Sequence, residues 1–252
     1  MDRAYWNRMG RVYDTEIFSV LAHDQTGRIA EKVRRYGKKN QIATDIGCGI
    51  GHFLPMLSRR FRQVLALDIS ATCLARARQT HSKLANVSYR VVDLARPGVR
   101  LPPADFALCV NAAITPALGL RNRLLDAACR HLRQGGHLVL VVPALESVFL
   151  TDFRLIEWNL RDGQSAARAA GTGFRAYRPA RKPRIHEGVV KIDGVDTKHF
   201  LREEVLALLA ARDLRTLEIE KLEYPWSTEF TQPPRWMQSP YPWDWLFVAQ
   251  KA

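Results

Sequence analysis

An acid followed by three alternate glycines forms the most regular pattern in the chain. The segment Ile42 to Phe53 reads IATDIGCGIGHF, in which a short apolar run leads into Asp45 and then into Gly47, Gly49 and Gly51. Glycine at these positions removes the Cβ atom where the backbone must turn. The free amide groups at the start of a following helix can hold polar or anionic groups of a ligand. The segment therefore predicts a ligand-binding turn between a strand and a helix.

The spacing of the glycines separates two classes of ligand. A dinucleotide fingerprint requires G-x-G-x-x-G, whereas here the third glycine comes one residue early and His52 occupies the expected position. Asp45 lies two residues before the first glycine, where a carboxylate would repel a pyrophosphate but would suit an ammonium and a sulfonium group. Two alternatives stay open from spacing alone, namely a nucleotide-dependent oxidoreductase and a glycine-rich turn that binds nothing.

Two further acids close predicted strands. Asp68 ends an apolar run and lies 21 residues after Gly47, close to the ~20 residues expected for a carboxylate that hydrogen-bonds ribose hydroxyls. Ser70 is better placed than Asp68 to cap the helix predicted over residues 71–80. Asp93 ends a third strand pattern and is followed by Leu94. The carboxyl ends of such strands meet at one edge of an open α/β sheet, where ligands bind.

The pattern D-x-G-x-G-x-G and the order of these acids resemble the class I S-adenosylmethionine-dependent methyltransferases. The resemblance covers about residues 41–146 well and 195–250 loosely. It implies an α/β fold, a doubly wound, Rossmann-like, mostly parallel seven-stranded sheet with an antiparallel last strand. An α/β insertion acting as a lid is expected in addition. Alanines at 112 and 113, where DNA amino-methyltransferases carry prolines, disfavour a DNA base as acceptor.

The resemblance also implies where S-adenosyl-L-methionine binds and S-adenosyl-L-homocysteine forms. The acid at Asp45 lies near the methionine moiety, Asp93 hydrogen-bonds the adenine amino group and Leu94 packs on the ring. Asn111, which follows the fourth predicted strand, should border the methyl donor. The whole set of cofactor-binding residues expected is Tyr13, Asp45, Gly47, Cys48, Gly49, Gly51, Asp68, Ile69, Asp93, Leu94 and Asn111.

Four segments follow from the pattern along the chain. We expect an N-terminal helical cap over residues 1–40, with a rough helical stripe from Asp14 to Tyr36, and an S-adenosylmethionine-binding core over 41–146. Residues 147–197 form the insertion and candidate substrate lid, with a hairpin that turns at Asp193-Gly194. Residues 198–252 form the C-terminal part of the core, with a helix over 201–211 and strands over 215–223 and 243–249.

The net charge of +13 is not explained by these motifs. Arg178, Arg181, Lys182 and Arg184 in the insertion could face a carboxylate or phosphate, which would suit an acidic acceptor. Nucleic acid is disfavoured because no zinc-finger or RNP-like module is visible. Arginines recur every seven residues at Arg154, Arg161, Arg168 and Arg175, but glycines interrupt the run, which favours a solvated face.

A methyl group would pass to a small-molecule N, O, S or C nucleophile, with positioning and water exclusion supplying most of the acceleration. Candidates for a general base are His199, which we prefer, His186 and Glu146. Trp226, Trp236, Tyr241 and Trp243 could build an aromatic wall beside the acceptor.

No metal site is expected from the four dispersed cysteines, and no apolar stretch is long enough for a membrane span, so we expect a cytoplasmic protein. The alternatives to a small-molecule methyltransferase are a non-catalytic S-adenosylmethionine-binding protein and an RNA-associated methyltransferase that uses its basic surface.

Overall fold

A mixed sheet forms the centre of the computed structural model, which describes residues 1–176, 184–192 and 194–252, with residues 173–176 described by their backbone alone. The strands are β1 (Ile42–Ile46), β2 (Gln63–Asp68), β3 (Val87–Val91), β4 (Ala104–Val110), β5 (Leu132–Pro143), β6 (Val189–Ile192), β7 (Val195–Lys198), β8 (Leu214–Glu223) and β9 (Trp243–Lys251). The seven-stranded sheet has the order β3-β2-β1-β4-β5-β9-β8, and β6 pairs with β7 separately.

The direction of the strands agrees with the predicted fold class. The pairs β1–β2, β2–β3, β1–β4 and β4–β5 are parallel, whereas β9 runs antiparallel to both β5 and β8. The strand order reverses between β1 and β4, which is the position where open α/β sheets bind ligands at the carboxyl ends of their strands. The predicted doubly wound sheet with an antiparallel last strand is confirmed.

Helices cover both faces of the sheet. They are α1 (Arg3–Met9), α2 (Tyr13–Glu16), α3 (Val20–His23), α4 (Arg28–Tyr36), α5 (Leu54–Arg60), α6 (Ala71–Thr80), α7 (Leu118–Arg130), α8 (Leu145–Arg161), α9 (Ala166–Ala176) and α10 (Arg202–Ala210). One buried cluster joins α4, α5 and α6 to one face, and a second joins α7 and α10 to the other. Each sheet face therefore buries its own apolar side chains, as parallel sheets require.

The helical stripe predicted from Asp14 to Tyr36 is divided among three helices, α2, α3 and α4. The carboxylate of Asp24 accepts hydrogen bonds from the backbone N–H groups of Arg28 and Ile29, both at 2.9 Å, and so fixes the start of α4. Gly27 precedes that helix with a φ of 64°. A side-chain cap and a left-handed glycine together end one helical path and begin another.

The predicted insertion contains two helices and a hairpin. Helices α8 and α9 pack together, and β6 pairs antiparallel with β7 in the register Ile192 to Val195. The hairpin is therefore confirmed, and its first strand begins at Val189, after a 3₁₀ turn over residues 185–187. Asp193, Arg178, Arg181 and Lys182, with the side chain of Arg175, lie outside the described residues.

The hairpin is tied to the carboxyl edge of the main sheet. Lys198 N donates to Ile114 O at 2.9 Å, beyond the end of β4, and Ala144 forms an isolated bridge with Phe200 beyond the end of β5. The insertion therefore stands over the edge at which the sequence places the ligand. No helix formed by the described residues is long and apolar enough to cross a bilayer.

Candidate functional site

The glycine turn follows β1 in a conformation that only small residues allow. Gly49 has a φ of 55°, and a Cβ atom there would collide with the hydroxyl group and ring of Tyr13. A Cβ atom at Gly47 would collide with Ala112, beyond the end of β4. Glycine is required here because the turn is left-handed and its neighbours approach closely. The turn thus places the N-terminal segment and the β4 loop against the same short backbone.

Asp68 fixes the turn to the end of β2. Its Oδ2 accepts a hydrogen bond from Gly49 N at 2.9 Å, and its Oδ1 accepts one from Ser70 N at 2.7 Å. Burial raises the pKa of this carboxyl group, while the backbone donors oppose the shift. Ser70 caps α6 as predicted, since its Oγ accepts from Cys73 N at 3.1 Å. Asp68, the residue predicted to bind the ribose, therefore already has a carboxylate of fixed orientation.

Asp45 is a buried carboxyl group with an oxygen that lacks a donor. Its side chain is 2% exposed, and no described residue donates a hydrogen bond to its Oδ2. Burial, helped by the charge of Asp68, raises its pKa to about 8. A buried acceptor without a donor is costly unless a ligand completes it. An ammonium group is a ligand that would supply both the donor and the opposite charge.

A cavity of about 1030 Å³ opens at this edge of the sheet. Ligand pockets usually measure roughly 300–1,000 Å³, so this one has room for a nucleoside-sized cofactor and a second molecule. The predicted site residues that line it are Tyr13, Asp45, Gly47, Cys48, Asp68, Ile69, Asp93, Leu94, Asn111 and His199. Gly49 and Gly51 do not line the cavity, and they act instead on the shape of the turn.

The outer part of the predicted cofactor site is formed by the segment that follows β3 and by α2. Asp93, after β3, accepts a hydrogen bond from Ala95 N at 3.0 Å, and its neighbour Leu94 is buried. Tyr13, in α2, covers the turn and stands edge-on to the ring of His52. Burial, with the nearby charge of Asp68, raises the pKa of the Tyr13 hydroxyl group, which keeps it a neutral donor.

His199 is the candidate base that reaches the cavity. Its ring is 8% exposed, and its Nδ1 lies 3.3 Å from the carbonyl oxygen of Thr197. That contact requires a proton on Nδ1, so Nε2 carries the lone pair. Burial lowers the pKa of His199 to about 4, which keeps the ring neutral at physiological pH.

The two other candidate bases do not line the cavity. His186 is largely exposed and lies 3.8 Å from Glu187. Glu146 accepts hydrogen bonds from Trp245 Nε1 and Arg202 N, each at 2.9 Å, so it joins α8, β9 and α10. The side chain of Glu146 is therefore used by the surrounding fold, whereas that of His186 points away from the cavity lining into solvent.

Asp244 is a cavity residue that the sequence patterns did not identify. It lies near the start of β9, is 7% exposed, and its Oδ2 accepts from Asn111 Nδ2 at 3.0 Å and from the Tyr224 hydroxyl group at 2.9 Å. Burial raises its pKa, against the two hydrogen bonds. The sequence signal that could have identified Asp244 is its position as a single acid within an apolar strand, since buried acids are rare without a role.

Of the four aromatic residues predicted to form a wall, only Trp243 lines the cavity. The ring of Trp226 stacks on Phe230 at 5.6 Å between centroids. The guanidinium groups of Arg154 and Arg161 lie 5.4 and 4.0 Å from the ring centroid of Trp236. This packing replaces the solvated face predicted for Arg154, whose side chain is 13% exposed.

Within the described ranges, no group of three or more His, Cys, Asp and Glu side chains could hold a metal ion. The chemistry that the described arrangement can support is the binding of a cationic, nucleoside-sized ligand beside an enclosed acceptor space. The acids of the turn and strand ends, the neutral His199 ring and the aromatic side chains all face that one space.

Comparison with known proteins matches the part of the chain that carries the glycine turn and the acids at the strand ends. Residues 43–136 match the family described as "Methyltransferase domain". That range includes β1 to β4, the glycine turn and the three acids at the strand ends. It ends inside β5, so the insertion, β8 and β9 lie outside the match.

Two curated relatives share local similarity. The chain is 34% identical over 140 residues to the ribosomal RNA small subunit methyltransferase C of Ectopseudomonas mendocina, which covers 53% of this chain and 40% of the relative. It is 36% identical over 102 residues to the trans-aconitate 2-methyltransferase of Deinococcus radiodurans, which covers 40% of this chain and 37% of the relative. The chain thus spans about two fifths of the length of each.

A solved structure matches over the whole fold. The N-methyltransferase NodS of Bradyrhizobium japonicum, in complex with S-adenosyl-L-homocysteine, superposes with a TM-score of 0.62 at 12% identity, covering 99% of this chain and 97% of that one. At this identity the likeness establishes the architecture alone. The superposition extends the similarity in architecture beyond residues 43–136 to the insertion and to β8 and β9.

Proposed function

We propose that this chain is a class I S-adenosylmethionine-dependent methyltransferase that transfers a methyl group from S-adenosyl-L-methionine to a small-molecule acceptor, which the match of residues 43–136 to a methyltransferase domain supports. The observation that carries the proposal is the environment of Asp45, which lies directly before the glycine turn at the wall of a large cavity. Its carboxyl group is buried, and its Oδ2 accepts no hydrogen bond from any described residue. A cofactor with an ammonium group and a sulfonium group fits that charge. A pyrophosphate would be repelled by it.

In this proposal, each group of the cofactor is bound by a different set of residues. Asp45 pairs with the ammonium group, Asp68 accepts hydrogen bonds from the ribose hydroxyls, and Asp93 accepts one from the adenine amino group. Leu94 packs on the adenine ring and Tyr13 closes the turn from above. Gly47 and Cys48 contact the ligand through their backbone, with Ile69 beside the ribose; the shaping glycines Gly49 and Gly51 stand behind them.

When bound, S-adenosyl-L-methionine supplies an electrophilic methyl group whose carbon–sulfur electron pair returns to sulfur as an acceptor lone pair forms the new bond. The chain's own residues orient the acceptor and exclude water, which supplies most of the acceleration in such displacements. Asn111 stands at the end of β4, where the methyl donor is expected. His199 can hold a proton from the acceptor on Nε2 because its ring is neutral.

A small acceptor is favoured over RNA by the charge inside the cavity. Among the charged side chains of the described lining, carboxyl groups outnumber those of Lys and Arg by eight to two, and a phosphate backbone would be repelled by them. We propose further that residues 147–197 act as the lid over this space, with residues 1–40 as its N-terminal cover and 198–252 as the closing part of the core. Val190, Ile192 and Val195 of the hairpin line the cavity and support that division.

The test is isothermal calorimetry with S-adenosyl-L-methionine, S-adenosyl-L-homocysteine and NAD. We expect saturable binding of the first two and no binding of NAD. Formation of S-adenosyl-L-homocysteine in a screen of small acceptors then separates an enzyme from a silent binding protein. Binding of NAD alone would overturn the proposal, and cofactor binding without turnover on any acceptor would favour the non-catalytic alternative.

Replacing Asp68 with alanine should weaken S-adenosyl-L-methionine binding by ~1–3 kcal/mol, the usual cost of losing a charged hydrogen-bond partner. The ribose would lose its acceptor, and Gly49 N would lose the bond that orients the turn. Calorimetry on the folded variant measures the change. Asp126→Ala, in α7 and outside the cavity, is the matched control and should bind normally. Equal affinity in Asp68→Ala and the control would remove the ribose assignment.

A further inference from the structure

The cavity carries the opposite charge to the protein as a whole. The chain has a formal net charge of +13, yet the described side chains that line the cavity include eight carboxyl groups against two from Lys and Arg, namely Lys191 and Arg3. Three of the carboxyl groups belong to the proposed cofactor site. Glu229 and Asp244 do not, and they stand close enough for the charge of Asp244 to raise the pKa of Glu229.

Asp244 is a buried acid without a cationic partner among the described residues. The two hydrogen bonds that it accepts, from Asn111 Nδ2 and the Tyr224 hydroxyl group, both end on Oδ2. They come from neutral groups and leave Oδ1 without a described donor. A buried charge that lacks a counter-ion costs several kcal/mol in general, which a ligand of opposite charge offsets.

Asn111 gives an independent indication of the same ligand. Its amide nitrogen must face Asp244, because a carboxylate accepts hydrogen bonds and the amide oxygen cannot donate one. Its Oδ1 is therefore fixed away from Asp244, and this buried atom has no donor among the described residues. The hydrogen-bonded pair Asn111 and Asp244 thus has two acceptor oxygens without described donors, and both residues line the cavity. A ligand group rich in N–H donors would satisfy both.

Glu229 adds a second negative charge that a ligand can reach. Its side chain is exposed, and it faces the cavity. Surrounding protein and the charge of Asp244 raise its pKa, while a 3.4 Å hydrogen bond from Thr228 Oγ1 acts against the shift. A cation bound between the two acids would relieve their mutual repulsion.

Aromatic rings complete this end of the cavity. Phe18 packs edge-on to Tyr224 with 5.0 Å between ring centroids, and both line the space together with Phe230 and Trp243. Ring faces attract cations and also bury apolar groups. Carboxylates within an aromatic surround are the combination that holds a protonated amine on an apolar body.

We infer that the methyl acceptor is an amine, bound as its ammonium ion between Asp244 and Glu229 with Asn111 Oδ1 as a further acceptor. The inference rests on the proposed methyl transfer and specifies its substrate class. It replaces the acidic acceptor expected from the sequence. Of the arginines and lysine behind that expectation, Arg178, Arg181 and Lys182 lie outside the described residues, and Arg184 pairs with Glu187.

An ammonium ion has no lone pair, so it must give up one proton before it can be methylated. In this arrangement the carboxylate of Glu229 or Asp244 takes that proton, which leaves a neutral amine and a carboxylic acid. The freed lone pair forms the new carbon–nitrogen bond while the carbon–sulfur pair returns to sulfur. The nitrogen then carries the positive charge, and the carboxylic acid returns its proton to water.

The test compares ligands that differ only in their polar group. Phenethylamine and tryptamine are matched with the alcohol and the carboxylic acid of the same skeletons, namely phenethyl alcohol, hydrocinnamic acid, tryptophol and indolepropionic acid. Each is titrated into the full chain saturated with S-adenosyl-L-homocysteine, and binding is followed by calorimetry and thermal stabilisation. These readouts do not depend on turnover. We expect saturable binding of the amines and none of the acids.

The variants are Asp244→Asn and Glu229→Gln, with Glu223→Gln, an exposed residue of β8 outside the cavity, as the control. Loss of the buried charge in Asp244→Asn should weaken amine binding about thirtyfold. Glu229→Gln should weaken it less because the side chain of Glu229 is exposed, and the control should bind normally. Glu229→Gln keeps the test valid if Asp244→Asn fails to fold.

Three outcomes would overturn the amine assignment: acids or alcohols bind as tightly as the amines, no amine binds, or amine affinity is unchanged in both variants. Binding of S-adenosyl-L-homocysteine in the same samples separates this failure from that of the proposed function. If S-adenosyl-L-homocysteine binds and the amines do not, only the assigned class of acceptor is wrong. If S-adenosyl-L-homocysteine does not bind, the methyltransferase proposal fails.

Discussion

Replacing Lys32 with methionine is expected to lower the free energy of unfolding by about 3 kcal/mol, the lower end of the cost of breaking a buried ion pair. The side chain of Lys32 is 1% exposed, and its Nζ lies 2.7 Å from Glu218 and 2.5 Å from Glu220. The variant would leave these two glutamates of β8 without their shared cation. Arg28 and Arg35 also pair with them, which places the cost at the lower end.

Chemical denaturation of both proteins measures the difference. Arg35→Ala is the matched control, because Arg35 also pairs with Glu218 but its side chain is 60% exposed. Exposed pairs contribute about 0–1 kcal/mol, so this control should change little. A loss of stability no larger in Lys32→Met than in Arg35→Ala would show that the buried lysine is not needed to join α4 to β8.

The sign of the pH dependence follows from the same network. Burial alone would raise the pKa of Glu218 and Glu220, but hydrogen bonds from Lys32, and from Tyr36 and Arg28 respectively, lower it. A lowered carboxyl pKa stabilises the fold above the ordinary glutamate value of about 4.3. That stability is lost as the pH falls below this value, and the loss should be smaller in Lys32→Met.

Replacing Asp45 with asparagine should weaken S-adenosyl-L-methionine binding by roughly 2 kcal/mol or more, the cost of removing one partner of a buried charge pair. Asparagine has nearly the same shape, so the change tests the charge itself. Calorimetry at pH 7 measures the affinity, and the melting temperature of the unliganded variant checks its fold. Unchanged affinity would remove the ammonium-binding role of Asp45.

The affinity of the wild-type chain should also depend on pH. Burial, helped by the charge of Asp68, raises the pKa of Asp45 to about 8 before the ligand binds. Only the carboxylate attracts an ammonium group, so affinity should rise by up to about tenfold per unit between pH 6 and pH 7. Proton release on binding, measured in buffers of different ionisation enthalpy, checks this. Asp45→Asn should show neither effect.

The raised pKa of Asp45 also acts on the unliganded fold. An acid with a raised pKa stabilises the folded state at low pH, and this contribution is lost as the pH rises from the ordinary aspartate value of about 3.9. The loss is complete at the folded value of about 8. Thermal unfolding without ligand should therefore show Asp45→Asn gaining relative stability toward pH 8.

Local patterns were sufficient to predict the turn and the strand-end acids. Asp45, Asp68 and Asp93 each follow an apolar run of strand length, and their positions along the sequence fix which sheet edge they occupy. Ser70 could be predicted as a cap because capping depends on neighbours within four residues. These features place the cofactor side of the cavity. Their assigned roles in binding stay predictions.

The part of the cavity that we assign to the acceptor could not be predicted because it depends on contacts between distant parts of the chain. Asn111 and Asp244 are 133 residues apart, and they meet only because β9 inserts beside β5. The break between α3 and α4 was missed for a similar reason, since an apolar helical stripe continues across it while Asp24 and Gly27 end the helical path. The placement of His199 at the cavity agrees with the preference for it, and its role as a base is untested.

The position of β9 has a consequence for how the protein is made. It lies between β5 and β8, so a nascent chain that stops before residue 243 exposes the unpaired edges of both strands. Such edges are templates for pairing with other chains. Asp244 also comes from this strand, so translation must pass it before the cavity acquires the acid that faces Asn111. Premature termination in this region should therefore give aggregation rather than a shortened enzyme with altered specificity.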